Sequence, residues 1–456
     1  MCGALYYSKS NQKKSVITMF KRLKLYLIMA SLLSFVTPAI GQQSRTLTLD
    51  EIYSLAESNS TAIDAERIAL DVANAAIEEA KSGRLPDIDL SLSASYLGNG
   101  TLTDRNLSNS MGVKMPHFGN NFAVEAAQLI YGGGAVNNSI AMARLEADMA
   151  TINLDATRSR VRFILTGFYL ELYKLHNIVD VYDKNIHLAE ELIADTRARN
   201  REGIALSNDI TRQELRLQNL LLARTEVINS IDILSTRLAT IIGLDPATEI
   251  IPADATLEYS LPMNDETYWQ EIAANESYDL KRAAVAIEMG ERAEQLARSE
   301  RRPSVALVAA NHFDGPITIE VPVIDKNFNY WYVGVGVSFK IGSLYKTNRT
   351  IKRQEIATEH SRRQRDEVEE QTMLSVHADY VRYVEAFETE RTLQKSVELA
   401  QSNYNVIDTR YRNDIVLVTD MTDAANQLLN AELQLTNARI NIIMRYFTLL
   451  NTAGEL

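Results

Sequence analysis

The segment "NYWYVGVGVSFKI", residues 329–341, alternates between two kinds of side chain. Every second residue from Trp331 to Ile341 is apolar, and the residues between them include two glycines, a serine and a lysine. A period of two predicts a β-strand with one apolar and one polar face. The segment "DIDLSLSASY", residues 87–96, alternates in the same way. The sequence therefore predicts two amphipathic strands far apart in the chain.

Each of these strands has a partner segment, at 121–131 and at 304–313, which predicts two β-hairpins, 87–131 and 304–341. The strands are long enough to cross a bilayer at a tilt. Aromatic residues collect at the strand ends, as they do in the interfacial girdles of membrane barrels. The residues of this expected girdle are Tyr96, Phe122, Tyr131, Phe313, Phe328, Tyr330 and Trp331.

Four strands do not close a barrel, and open sheet edges are not tolerated in lipid. Membrane strands therefore predict an oligomer in which two chains supply eight strands or three supply twelve, and the residues alone leave both open. The alternative is a small soluble sheet packed on helices. It is disfavoured because the strands lie between very long helices with no second sheet to pack on.

The chain contains an internal duplication, which appears when it is shifted against itself by 211 residues or, nearer its start, by 217. Equivalent residues include Ser60 and Ser277, Pro86 and Pro303, Ile130 and Ile341, Leu206 and Leu417, Asp209 and Asp420, and Gly243 and Gly454. The offset between equivalent residues changes from 217 to 211 within the segment 97–120, which is rich in glycine and asparagine and therefore predicts a loop. The sequence thus predicts two structural repeats, 42–252 and 253–456.

Each repeat begins with a helical pattern, at 48–83 and at 264–300, and ends with a helical hairpin, at 135–243 and at 345–453. Apolar residues recur every seven positions from Leu165 to Ile193, which predicts a coiled-coil seam. A helix over 135–202 would span roughly 100 Å at about 1.5 Å per residue. These lengths predict a tall antiparallel helical barrel whose far end is formed by turns at 203–206 and 414–417.

Both turns carry acidic residues on the helix that returns from them. Asp209 and Asp420 open the returning helices, where a carboxylate suits the helix dipole, so capping is one explanation for them. Asp423 follows one turn after Asp420 on the same face. In a symmetric oligomer whose tips meet on the axis, Asp420 and Asp423 would form stacked rings of carboxylates, which select cations.

The N-terminal residues 1–41 are typical of a secretory signal peptide, with a basic stretch, an apolar core and a small-x-small cleavage site at 39–41. The whole chain has a formal charge of −12, and the segment holds six cationic and no acidic residues. The mature chain is therefore strongly acidic, which argues against nucleic acid as a partner. The single cysteine, Cys2, lies ahead of the cleavage site, so neither a disulfide nor a thiolate metal site is expected in the mature chain.

No pattern in the chain indicates catalysis. The six histidines lack metal-binding spacing, and there is no phosphate-binding loop or nucleophile elbow. We therefore expect no catalytic residue, no cofactor, no metal site and no enzymatic activity.

The chain resembles the TolC-type outer-membrane efflux family. The resemblance is carried by the duplication, by "QLIYGGG" at 128–134, by the prolines Pro86 and Pro303 that open strands, and by a long tip sequence. That tip sequence, residues 411–450, reads "YRNDIVLVTDMTDAANQLLNAELQLTNARINIIMRYFTLL". The resemblance covers essentially the whole mature chain.

The resemblance implies a mainly α-helical chain with a membrane β-barrel portion. The family is a homotrimer with a twelve-stranded barrel in the outer membrane, four strands from each chain, continued in the periplasm by an α-helical coiled-coil barrel. It serves as the exit duct of a tripartite efflux pump or a type I secretion system. The implied partners are outer-membrane lipid, a periplasmic adaptor protein and an inner-membrane transporter.

The resemblance also assigns candidate site residues by position. The aperture or gate residues it implies are Asp420, Asp423, Asp209 and Tyr411. The residues it implies for the tip turns and adaptor docking are Gly203, Ile204, Leu206, Asp414, Ile415 and Leu417. The chain departs from the family at two positions. Asp414 stands where the family usually has a glycine, and Val416 stands where some members have a basic residue. Arg410 and Arg412 are nearby cations that could form the closing ion pair instead.

A different class of function also fits long helical hairpins, namely a soluble periplasmic coiled-coil adaptor or scaffold. Such proteins lack duplicated amphipathic β-hairpins, so recovery from membranes distinguishes the two.

Overall fold

The computed structural model describes residues 44–253 and 261–456, and the expected signal peptide and Cys2 lie outside these ranges. The first repeat contains β1 (Ser44–Leu47), α1 (Leu49–Asn59), α2 (Thr61–Ser82), β2 (Asp87–Tyr96), β3 (Gly100–Thr103), β4 (Ser110–Val113), β5 (Phe118–Tyr131), α3 (Ala135–Arg201), α4 (Ser207–Ile241) and β6 (Glu249–Pro252). The second contains α5 (Glu266–Glu276), α6 (Tyr278–Ser299), β7 (Ser304–Gly315), β8 (Phe328–Ser338), α7 (Ser343–Arg412) and α8 (Val418–Ala453).

The two predicted hairpins are confirmed, and they join into one antiparallel sheet with the order β2-β5-β7-β8. The last strand is shorter than predicted, because it ends at Ser338, opposite Ser304. Before Ser304 stands Pro303, which has no N–H to continue the ladder. After Ser338 the chain turns into α7, and the Leu344 amide donates to the Ile341 carbonyl at 3.1 Å.

One face of this sheet is apolar, and the described residues leave it uncovered. Ile88 and Val337, on its two outer strands, are both 69% exposed. Strands β2 and β8 are the edges of the sheet and have no further partner strand within the described residues. Exposed apolar surface on a sheet with open edges is typical of a face that meets lipid or a partner.

The residues of the expected aromatic girdle lie on both faces of the sheet, so the girdle is contradicted for some of them and stays a prediction for the others. The register places Phe122, Phe313 and Trp331 on the apolar face with Val333 and Val335. Phe328 and Tyr330 lie on the opposite, polar face, so the girdle prediction is wrong for them. Alternation along β8 explains this, since Tyr330 and Trp331 are adjacent residues and adjacent residues point to opposite faces.

The segment between β2 and β5 is not the simple loop that its Gly/Asn content predicts. It contains a two-stranded antiparallel ribbon, β3 with β4, in which Thr103 pairs with Ser110. The ribbon is closed by a polar turn in which Asp104 accepts hydrogen bonds from Ser108 and Asn109. In this turn Asn106 also accepts hydrogen bonds from the Ser108 amide and hydroxyl, so asparagine here shapes a hairpin turn where the composition alone suggested a loop.

The first helical pattern of each repeat is broken once, and the continuous helices expected at 48–83 and 264–300 are wrong in this respect. Ser60 separates α1 from α2, and Ser277 separates α5 from α6, and neither serine has helical backbone angles. Each serine still donates its N–H to the preceding helix, at 2.8 Å for Ser60 and 3.2 Å for Ser277. These two serines are equivalent in the duplication, so the break belongs to the repeat.

A glycine at the end of each repeat packs against this break. Gly243 and Gly454 both have left-handed backbones, with φ of 74° and 86°. A Cβ on Gly243 would lie 2.6 Å from Cβ of Asn59, and one on Gly454 would lie 2.6 Å from the Glu276 carbonyl oxygen. Only glycine fits both the backbone angle and the close approach.

The long helical hairpins are confirmed. Helices α3 and α7 contain 67 and 70 residues and return as α4 and α8. The heptad seam of α3 is buried at Leu165, Leu172 and Ile193. In α7 the seam is interrupted by Glu390, whose carboxylate accepts a 3.4 Å hydrogen bond from Arg439 of α8. A buried apolar stripe therefore holds α3 against its neighbours along most of its length, whereas α7 has few buried residues and none between Ala386 and Tyr411.

The core lies at mid-height, where the short helices pack on the long ones. One cluster surrounds Tyr169 and includes Leu165 and Leu238, and a second surrounds Trp269 and Tyr383. Burial raises the pKa of Tyr383 to about 12, and its hydroxyl donates to the Pro262 carbonyl at 3.2 Å. A parallel pair of short strands, β1 with β6, closes the first cluster and was not predicted from the sequence.

None of the helices in the described ranges combines the length and the apolar character needed to span a membrane.

We expect Gly454→Ala to destabilise the protein more than Gly203→Ala does. Gly203 has φ of 78°, but nothing lies within 4 Å of the place that an alanine Cβ would occupy. Alanine at Gly203 therefore costs about 1 kcal/mol for the left-handed backbone alone. At Gly454 the methyl group would also meet the Glu276 backbone, adding about 1–3 kcal/mol. Thermal denaturation midpoints of the two purified variants measure the difference, and equal losses would contradict the packing role of Gly454.

Candidate functional site

The candidate site lies at the ends of the two long helical hairpins, farthest along the chain from the sheet. The first tip, residues 202–206, connects α3 to α4, and the second tip, residues 413–417, connects α7 to α8. The two tips are adjacent in space, because Arg199 before the first tip pairs with Asp414 in the second. The duplication therefore brings two copies of one turn side by side.

Both tips use the same backbone turn. Gly203 has φ of 78° and Asp414 has φ of 58°, so both adopt the left-handed conformation. The next amide in each tip donates back into the helix, Ile204 to Arg199 and Ile415 to Arg410, each at 2.9 Å. Aspartate tolerates this conformation better than most residues, which explains how Asp414 replaces a glycine.

Asp209 and Asp420 cap the returning helices. The Asp209 carboxylate accepts from the Leu206 amide at 3.1 Å, and the Asp420 carboxylate accepts from the Leu417 amide at 3.1 Å. This contact satisfies a backbone donor that the helix leaves unpaired. Asp420 is exposed and Asp209 is half-buried, and capping uses one oxygen of each carboxylate, which leaves the charge of Asp420 in particular available to a second role.

Asp423 lies one turn after Asp420 on α8. Its carboxylate accepts from the Gln427 side-chain amide at 2.8 Å, within the same helix. Asp420 and Asp423 therefore lie one above the other on α8, as their spacing predicts, and no cation among the described residues forms an ion pair with either of them.

Arg199 connects the two tips and was not predicted from the sequence. Its guanidinium donates to Asp195 at 2.8 Å, pairs with Asp414, and lies over the Tyr411 ring at 4.6 Å from the centroid. It also donates to the Arg412 carbonyl at 3.3 Å. We call Arg199, Asp414 and Tyr411 the tip latch, since together they join α3 to the second tip.

Tyr411 is the buried member of the tip latch. Its ring packs with Leu192, Val418 and Met421, and its hydroxyl forms a 3.1 Å hydrogen bond with Thr196. The Thr196 hydroxyl already donates to the Leu192 carbonyl, so the Tyr411 hydroxyl is the donor. The aromatic residue that the resemblance assigns to the gate is thus in contact with the helix that leads to the other tip.

The surroundings of the tip latch keep Arg199 charged and Tyr411 neutral near pH 7. Burial opposes the charge of Arg199, but hydrogen bonding and attraction to Asp195, together with Asp414 and Tyr411, raise the pKa of its guanidinium. Burial also raises the pKa of the Tyr411 hydroxyl, and the negative charge of Asp195 adds to that rise. Neither of these two groups therefore titrates around neutral pH.

The two arginines that the sequence suggested for a closing ion pair do not form one. Arg412 donates to Asp408 of its own helix at 2.8 Å. Arg410 is exposed and forms no ion pair to the first tip within the described part of the chain. Arg410 is nevertheless the duplicate of Arg199, one repeat apart, and that equivalence was the available signal for Arg199.

A buried polar layer lies behind the tips, between α4 and α8. Gln213 donates to the Thr422 hydroxyl at 2.6 Å, and Arg216 donates to the Asn426 side chain at 3.0 Å. Burial lowers the pKa of the Arg216 guanidinium, which has no carboxylate partner among the described residues. Buried polar groups of this kind fix the register of packed helices.

The outermost side chains of both tips are apolar. Leu206 is 70% exposed and Leu417 is 71% exposed, and Ile204 and Ile415 next to them are also exposed. These side chains therefore present apolar surface to solvent at the end of the hairpins. No group of histidine, cysteine, aspartate or glutamate residues in the described ranges could hold a metal ion.

The sequence and the fold both have known relatives. A family model described as outer membrane efflux protein matches residues 52–244 and 269–455. The chain is similar to the outer membrane efflux protein BepC of Brucella suis biovar 1, with 20% identity over 442 residues, 96% of this chain and 92% of BepC.

Solved structures share the fold at low sequence identity. The outer membrane protein VceC from Vibrio cholerae matches with a TM-score of 0.72 and 15% identity, over 89% of this chain and 96% of VceC. The CmeC outer membrane channel of Campylobacter jejuni matches with a TM-score of 0.72 and 14% identity, over 89% of this chain and 85% of CmeC.

Proposed function

The chain belongs to the outer membrane efflux protein family, and from that membership we propose that three copies form a gated, passive exit duct through the outer membrane. Its family and fold are those of efflux channels, which favours this function over a soluble periplasmic scaffold. The duct would receive small molecules or polypeptides from an inner-membrane transporter and release them outside the cell.

The observation that carries the proposal is a four-stranded sheet with an exposed apolar face and two open edges. A sheet in lipid must close on itself, since unpaired backbone groups cost several kcal/mol each. Pairing β8 of one copy with β2 of the next is a head-to-tail contact that closes into a ring. Three copies supply twelve strands, wide enough to leave an open lumen.

The helices then continue the lumen away from the membrane. Helices of 67 and 70 residues reach roughly 100 Å from the sheet. The tips would meet at the threefold axis, where Asp420 and Asp423 would form two rings of three carboxylates. The tip latch would hold each pair of tips closed, and Asp209 would serve mainly as a helix cap.

The exposed apolar tips are where we propose that a periplasmic adaptor docks. Ile204, Leu206, Ile415 and Leu417 protrude at the end of the hairpins and are held in place by the two left-handed turns. Burying four such side chains in each copy gives a partner apolar area to bind at the same place where the latch closes the tip. Docking and opening would thereby involve the same residues.

A matched pair of lysine substitutions tests the membrane role of the sheet. Leu307 and Val308 are neighbours on β7, but Leu307 pairs with Val335 on the apolar face and Val308 with Gly334 on the polar face. A lysine in contact with lipid costs about 2–4 kcal/mol at mid-depth and less toward the interfaces, whereas a lysine in an aqueous lumen costs little. We expect Leu307→Lys to abolish outer-membrane trimers and Val308→Lys to leave them intact.

The measurement is the amount of heat-dissociable trimer extracted by detergent from outer membranes. Recovery of the unmodified protein as a detergent-free monomer from the periplasm would overturn the proposal. Equal tolerance of the two lysines would also overturn it, since the two faces would then meet the same environment.

A further inference from the structure

Four aromatic rings form a ladder on the polar face of the sheet. Tyr330 stacks on His312 with ring centroids 5.0 Å apart and on Phe328 with centroids 5.3 Å apart. Tyr332 lies on the other side of His312, at 6.3 Å, and its plane differs by only 13°. We call these four residues the aromatic ladder. Its rings lie nearly parallel, so a planar molecule could stack on the end of the row.

Three of the four rings of the aromatic ladder are open to solvent, and the His312 ring between two of them is largely covered. Phe328 is 54% exposed, Tyr332 47% and Tyr330 39%, so none of the three is a core residue. They do not face lipid either, because the register places them opposite Trp331 and the valines of β8. Exposed rings on the polar side of an amphipathic sheet are unexplained by packing or by an interfacial girdle.

The same face is negatively charged. The four strands of the sheet contain four acidic residues and no lysine or arginine. The register places all four, Asp87, Asp89, Glu125 and Asp314, on the face that carries the aromatic ladder. Glu125 approaches His312 to 3.6 Å, which places a carboxylate beside the rings. Carboxylates next to aromatic faces attract cations and repel anions.

The aromatic ladder lies at the end of the sheet opposite the helices. Strand β2 follows α2 and β8 leads into α7, so the helices leave from the ends marked by Asp87 and Ser338. Phe328 and Asp314 pair with each other at the opposite end. In an outer-membrane duct with periplasmic helices, that end is the external mouth.

We propose that the aromatic ladder is a binding subsite for planar aromatic cations at the external mouth of the duct. The proposal rests on the proposed function, because the polar face must line a lumen. A planar cation would stack on the exposed end of the ladder, and Glu125 and Asp314 would balance its charge. Three copies would place three such subsites around the mouth, where a departing molecule makes its last contact.

The test uses the block of ionic current by ethidium, a planar aromatic cation, added only at the external side of the trimer in a planar bilayer. The background is Asp420→Asn with Asp423→Asn, so that the tip carboxylates do not contribute. We expect Tyr330→Leu with Tyr332→Leu to weaken the block by roughly tenfold, since a stacked cation is lost with the rings. Tyr330→Phe with Tyr332→Phe keeps the rings and should retain the block.

Phe313→Leu is the matched control, because Phe313 neighbours His312 on β7 but stacks on Phe122 on the apolar face. It should leave the block unchanged, and tetraethylammonium and naphthalene disulfonate should block weakly in every variant. The inference is overturned if the leucine pair blocks as the unmodified ladder does, or if the aromatic anion blocks equally well. Absence of any conducting trimer would instead overturn the proposed function, so the two failures are distinct.

Discussion

Replacing Arg199 by alanine is expected to open the duct at its tips. The substitution removes an ion pair with Asp414, a contact with the face of Tyr411 and a hydrogen bond to the Arg412 carbonyl. Asp414 is exposed to solvent, so the loss is about 1 kcal/mol for each copy rather than the larger value of a buried pair. Three copies would shift the closed-to-open balance by about 3 kcal/mol, roughly 100-fold.

The measurement is the open probability of single trimers in a planar bilayer, with no partner protein present. Arg201→Ala is the matched control, because it removes the same charge from the last turn of the same helix. Arg199→Lys keeps the charge but loses the planar fork, and we expect an intermediate effect. Because the pKa of Arg199 is raised, the difference between Arg199→Ala and the unmodified protein should persist across neutral pH.

An unchanged open probability in Arg199→Ala would remove the tip latch from the gate. A change of equal size in Arg201→Ala would show that the charge at the tip matters and the specific contacts do not. Either result would leave the proposed duct intact, because the duct depends on the sheet and the helices.

The large features of the fold could be predicted because they repeat and because they have a period. Apolar residues recur at every second position in the strands and at every seventh position in the coiled-coil seam. Their spacing therefore predicts which faces of β2, β8 and α3 are apolar. Because the chain is duplicated, the strand pattern and the helical pattern each occur twice. The duplication also identifies the two tips, since Leu206 and Asp209 align with Leu417 and Asp420.

The local interruptions could not be predicted from periodicity. Ser60 and Ser277 lie inside helical patterns, and serine is tolerated in helices, so nothing in the pattern marks a break. The break forms where a glycine from the distant end of the same repeat approaches the backbone. That approach is a tertiary contact across most of a repeat, and its sequence signal is only the repeated pairing of Ser60 with Gly243 and Ser277 with Gly454.

The partner of the gate was missed for a related reason. The sequence places Arg410 and Arg412 close to the second tip, and they were the candidates for its closing ion pair because a sequence shows only which residues are near each other along the chain. The structure pairs the second tip with Arg199 from the first repeat. Side-chain partners between repeats depend on how two hairpins pack, and packing selects one of two duplicate arginines without a local sequence cue.

Neutralising Asp420 and Asp423 is expected to abolish block of the duct by divalent cations. Two rings of three carboxylates would bind a divalent cation strongly, because oxygen ligands and concentrated negative charge favour it. With both rings neutral, we expect the concentration of Mg²⁺ or Ca²⁺ that halves the current to rise at least about 100-fold, a coupling of about 3 kcal/mol. The resting conductance should also rise, because the carboxylates narrow the entrance with their bound ions.

Asparagine is the better replacement at Asp420, because its carbonyl oxygen can still accept from the Leu417 amide and preserve the helix cap. Asp232→Asn removes one charge from an exposed position on α4 far along the helix and should leave the block unchanged.

Asp209→Asn separates capping from gating at the first tip. If the cap is its main role, the block persists, whereas a large loss would add Asp209 to the aperture. Unchanged block in the Asp420→Asn, Asp423→Asn variant would place the narrowest charged ring elsewhere, and the tips would then close by apolar contact between Leu206 and Leu417 rather than by charge.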